Sequence, residues 1–180
     1  MTTVLMLCHI VANCIVDALS YSGYGGSECT PREGHVKLNQ HLVWKSEWCT
    51  DGAPSTRERG LAIFEVDPFK CSVPATHVFD THQKEADALQ LVSLLEKAPH
   101  GTIIVGVSAD EAVYTLEKAL PALSEIGVKV DDVQYRGSFV FIAQKGFSEK
   151  TVLDKTLTEE ESNSDPAKFI ATITGIQTLL

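Results

Sequence analysis

GTIIVGVSADEA, residues 101 to 112, is the stretch from which the architecture is best read. Its first part, TIIVGVS (102–108), is a continuous apolar run rich in β-branched residues. Such a run suits a central strand buried on both faces. Just before it, QKEADALQLVSLLEK (83–97) places Leu91, Leu94 and Leu95 three and four residues apart, with Ala88 on the same face. This is an amphipathic helix, and Pro99 and Gly101 stop it. Just after the run, Ser108-Ala-Asp-Glu111 has capping-box spacing. A second helix is therefore expected from there to about Ala119, broken by Pro121, with Gly127 as a C-terminal cap.

Working outward, GLAIFEVDP (60–68) reads as a strand, and VPATHVFDTH (73–82) returns as its antiparallel partner. HVKLNQHLVWKSEW (35–48) alternates in part and reads as a hairpin or two short strands, and CIVDALS (14–20) as a short strand. The segments between them, YSGYGGSECTPREG and CTDGAPSTRER, are loops. On the C-terminal side VDDVQYR reads as a strand. SFVFIAQKG (138–146) reads as another, with Phe139, Phe141 and Ala143 on one face and Val140 and Ile142 on the other. TLTEEESNSDP (156–166) is an acidic linker, and AKFIATITGIQTLL is apolar enough to dock as a short helix or an edge strand. Strands, helix, strand, helix, strand, strand is mixed α and β with hairpins, not a doubly wound alternation. YSGYGG does not lead into a helix, so it is no phosphate loop.

The 180 residues are enough for one domain with a real core. Asp+Glu 24 against Lys+Arg 15 gives a net charge of −9. That balance excludes a global nucleic-acid footprint, which needs surplus cation. No apolar run reaches the ~20 residues needed to span a bilayer. The first twenty residues carry two readings, the apolar region of a secretory leader or a buried N-terminal strand. The five cysteines are Cys8, Cys14, Cys29, Cys49 and Cys71, without a C-x-x-C pair. Loss of Cys8 with a leader would leave four, enough for two disulfides in an oxidising compartment. In a reducing one, all five would be buried thiols.

In order, RGLAIFEVDP, HVFDTH, a helix, GTIIVGVSADEA, a helix ending in IG, and VQYRGSFVFIAQKG resemble the GG domain, also called the ILEI domain. It is the domain of the interleukin-like inducer of epithelial–mesenchymal transition and its secreted relatives. The stem of the protein O-mannose N-acetylglucosaminyltransferase also contains it. The resemblance covers about residues 14 to 150, with 1–13 as a leader or extension and 151–180 as linker and tail. It implies an α+β fold of two twisted antiparallel sheets with two or three short helices, in a secreted protein. It also favours the two-disulfide reading over Cys14, Cys29, Cys49 and Cys71, with the pairing open.

The transferase stem binds a glycan, and the resemblance carries its contacts to Arg59, Asp110 and Arg136. Phe139 stands where the family usually has Trp, and Gly137 where an acid or amide often follows the arginine. The chemistry suits sugars. Arginine offers five donors in a fixed fork, Asp110 and Glu111 offer acceptors for hydroxyl protons, and Phe139 or Tyr135 could be the flat platform. The bland alternative is a surface ion pair and a helix cap.

No catalytic constellation is legible. There is no nucleophile elbow, and Asp110 and Glu111 are adjacent rather than a glycosidase pair ~5–10 Å apart. His77, Asp80 and His82 fail as a metal set, because 77 and 82 point to opposite faces of a strand. Trp44 and Trp48 read as core or rim. The reading is a non-enzymatic lectin that needs no cofactor, binds glycans and not nucleic acid, and gains avidity as a homo-oligomer. The alternative is a cytokine-like ligand of a protein receptor.

Overall fold

The computed structural model describes residues 8–21, 32–48, 58–130, 133–146, 153–158, 161 and 166–179. At its centre lies β6 (Ile103–Ala109), every residue of which is buried. It pairs antiparallel with β4 (Gly60–Asp67) on one side and β7 (Ser138–Gln144) on the other. β5 (Ser72–Phe79) and β8 (Leu153–Leu157) complete a five-stranded sheet in the order β5-β4-β6-β7-β8. The sheet is antiparallel, yet its central strands are apolar on both faces, because another layer covers each side. Gly106 lies opposite Phe141, and a Cβ built on it would come within 2.1 Å of the Phe141 ring. The ring fills the space the glycine leaves.

A second sheet has the order β3-β2-β1-β9. β2 (Arg32–Leu38) and β3 (His41–Trp48) form the expected hairpin. Asn39 and Gln40 both have positive φ, 46° and 70°, as a two-residue hairpin turn of matching twist requires. β1 runs from Cys8 to Ser20, well beyond the short strand expected. It pairs along its whole length with β9 (Ala167–Leu179), so the C-terminal segment docks as an edge strand, not a helix. Cys14, Val16, Ala18, Val36, Leu38 and Trp44 face Ala62, Phe64, Val105, Val107, Val140 and Ile142 of the first sheet. Trp44 is core, its ring edge-on to Phe64 at 5.6 Å. A disulfide, Cys14–Cys71, bolts β1 to the turn between β4 and β5. Cys29 and Cys49 lie outside the described residues, as does the side chain of Cys8.

Helices cover the other face of the five-stranded sheet. α1 (Glu85–Lys97) buries Ala88, Leu91 and Leu95, and α2 (Leu120–Glu125) buries Ala122 and Leu123. They pack on Leu61, Ile63, Ile104, Phe139, Phe141 and Ala143. Val140 and Ile142 point the other way, so the two faces of β7 divide as the alternation dictates.

Three local expectations are corrected. No helix starts at Ser108: the strand continues through Ala109, and only a 3₁₀ turn (Leu116–Lys118) precedes α2. Ser108 Oγ instead accepts from the Phe139 amide, and Ser20 Oγ donates to the Ser108 carbonyl. Pro121 does not break a helix but sits in the first turn of α2, where its missing N–H costs nothing. Gly127 caps α2 as expected: with φ 85° its amide donates to Ser124, and that of Val128 to Leu123. Finally, the described part of VDDVQYR is a turn leading into β7, not a strand.

Candidate functional site

The site residues gather at one end of the five-stranded sheet, where β4 and β7 begin and β6 ends. Gly60 has φ 105°, and a Cβ there would meet the Phe79 carbonyl oxygen at 1.9 Å. Only glycine lets β4 start that close to β5. Arg59 is thereby set beside Asp80. Its Nε donates to Asp80 Oδ1 at 3.1 Å and its Nη2 to Oδ2 at 2.8 Å, a bidentate fork. Nη2 also donates to Gln83 Oε1 at 2.8 Å. The fork raises the Arg59 pKa further, and the Asp110 charge adds to the effect. Burial pushes the Asp80 carboxyl up, but the bonds and charge of Arg59 outweigh it and hold the group below its usual range.

Asp110 follows β6 in a left-handed conformation, φ 54°. That turn sends Glu111 inward, where it is 6% exposed. One Glu111 oxygen accepts from the Val113 amide at 2.8 Å, the other from the Arg136 amide at 2.6 Å. Glu111 is thus a clamp between two loops rather than an open acceptor. Thr81 ties a third segment in: its hydroxyl donates to the Ala112 carbonyl, and its own carbonyl accepts from the Thr115 amide and hydroxyl.

Arg136 has φ 59°, and its guanidinium lies 5.2 Å from the centre of the Tyr135 ring, a cation–π contact. Gly137 has a steric reason to stand where it does, since a Cβ would come 2.6 Å from the Leu157 carbonyl oxygen. Phe139 departs from expectation. It is 1% exposed and packs under the helices, so no ligand can lie on it. The open aromatics are Tyr135 and Tyr114, whose rings meet at 6.1 Å and 89°. His82 meets Tyr114 edge-on at 5.3 Å. Val113, Tyr114, Glu117 and Tyr135 line a groove of about 380 Å³.

The β4–β6 register thus sets Arg59 near Asp110, Glu111 ties the turn after Asp110 to Arg136 and Tyr135, and Phe139 lies in the core. Sequence reasoning missed Asp80 as the arginine's partner, and missed Tyr114. The one signal for Tyr114 was an aromatic in a segment read as helix. His77, Asp80 and His82 have separate surroundings: His77 stacks on Phe79, Asp80 holds Arg59, and His82 meets Tyr114. Among the described residues no group of three or more His, Cys, Asp or Glu could hold a metal, and no helix is long and apolar enough to cross a membrane.

Residues 59–147 match the family model described as interleukin-like EMT inducer. The match begins at Arg59 and runs past the end of β7, so it encloses the whole site. No curated protein matches the chain.

Proposed function

Because the chain belongs, through residues 59–147, to the interleukin-like EMT inducer family, we propose that it is a secreted, non-enzymatic carbohydrate-binding protein. The observation that carries the reading is the convergence of Arg59, Asp110 and Arg136 with an exposed tyrosine on one interlocked sheet end. Guanidinium donors and a carboxylate acceptor match vicinal hydroxyls, and an aromatic face matches the C–H face of a sugar ring. The Cys14–Cys71 disulfide supports an oxidising, extracellular setting. A single weak site per chain gains avidity from a homo-oligomer, which light scattering would reveal.

A glycan array probed with wild type and Arg136→Ala tests the reading. Wild type should retain a defined set of glycans and the variant should lose it. Equal silence from both would sink the proposal.

A second reading, a ligand for a protein receptor, draws on the outer face of the four-stranded sheet. Ile15 and Ile170 are 42% and 74% exposed there. Cell-surface binding lost in Ile15→Glu/Ile170→Glu but kept in Arg136→Ala would favour it.

A further inference from the structure

We infer that the Tyr114–Tyr135 groove is a second sugar subsite, so that the ligand is an oligosaccharide of at least two residues. This deepens the glycan reading and rests on it. Tyr114 and Tyr135 are 69% and 49% exposed, although the rest of this sheet end is tightly packed. Their rings stand at 89° and form a corner, with Val113 and Glu117 also lining the groove.

The corner is preorganised. Arg136 lies against the Tyr135 ring, and the His82 ring abuts Tyr114. Two rigid aromatic walls lose little conformational entropy when a ligand lands on them. A pyranose fits this chemistry: its apolar C–H face lies on the Tyr114 ring, its edge meets the Tyr135 ring, and its hydroxyls reach the tyrosine oxygens.

An ammonium ligand fits less well. Arg136 already lies over Tyr135, and Glu117 is 3.6 Å from Lys118, so both cation-attracting features are engaged. The groove is also continuous with the polar cluster. Through its two carboxylate oxygens Glu111 bonds the amide of Val113, a groove residue, and that of Arg136. One sugar residue at Arg59, Asp110 and Arg136, beside Tyr135, thus leaves the next facing Tyr114.

Calorimetric titration of the full chain tests this with paired probes: glucose and cellobiose, N-acetylglucosamine and chitobiose, mannose and mannobiose. For the sugar that binds, the disaccharide should bind wild type about tenfold more tightly than the monosaccharide, a gain of ~1.4 kcal/mol. Tyr114→Ala should erase that gain while the monosaccharide is still bound. Tyr114→Phe should keep most of it. A Tyr114→Ala protein that still prefers the disaccharide overturns the subsite alone, as does a wild type with no such preference. Tetramethylammonium binding lost in Tyr114→Ala, with no disaccharide gain, assigns the corner to a cation instead. If no sugar binds wild type, the functional reading falls and the subsite with it.

Discussion

Asp80 shows how a single side chain can set both the shape and the acid response of the site. It takes both donors of the Arg59 fork, and its carboxyl titrates below the usual range as a result. A carboxyl depressed in the folded state adds stability that is fully present above its unfolded pKa of about 3.9 and is lost as the pH falls through the lower folded value. Asp80→Asn should therefore cost about 1–2 kcal/mol at neutral pH, toward the low end for hydrogen bonds to charged groups because the pair is partly exposed. The denaturant midpoints of variant and wild type should then converge below pH ~4. Parallel acid curves would contradict the assignment. None of this pairing was legible beforehand, because Arg59 and Asp80 are 21 residues apart and only the β4–β5 register brings them together. Phe139 teaches the converse. Its alternation with Phe141 and Ala143 already put it on one face of β7, and once helices cover that face it is core. Strand parity outweighed the position suggested by family resemblance.

At the scale of elements, the runs with a strong period were legible: β4, β5, α1, β6 and β7 fall where their patterns put them. Elements that rest on short-range signals were not. Ser108 and Glu111 have capping-box spacing, but β6 gains more by pairing on through Ala109, and both polar groups find partners across the fold instead. β9 carries a weak signal because an edge strand with one face outward is held by its partner's ladder rather than by its own apolarity. The β6–β7 pair makes a sharper claim. With the Phe141 ring filling the space over Gly106, Gly106→Ala should destabilise the protein by about 1–3 kcal/mol through overpacking. Adding Phe141→Leu should recover part of the loss in a double-mutant cycle, and simple additivity would show that the ring is not the obstacle.

The whole molecule is a three-layer stack of outer sheet, central sheet and helices, with apolar contact across both interfaces. The Cys14–Cys71 bond joins the two sheets over a sequence separation of 57, and in the chain-entropy picture a closure of that length stabilises by about 4 kcal/mol. Cys14→Ala/Cys71→Ala should lower the thermal midpoint accordingly. Intact mass with and without reductant and alkylation counts the bridges directly.

The bridge and the site also sit at opposite poles of β4. Cys71 lies in the turn beyond its last residue, just before β5, and Arg59 precedes its first; the eight residues of β4 between them span roughly 25 Å. What holds the layers shut is thus insulated from the proposed glycan site. Well below its melting temperature, the reduced protein should lose endurance and not the glycan affinity proposed above, so either property can be redesigned while the other stays as it is.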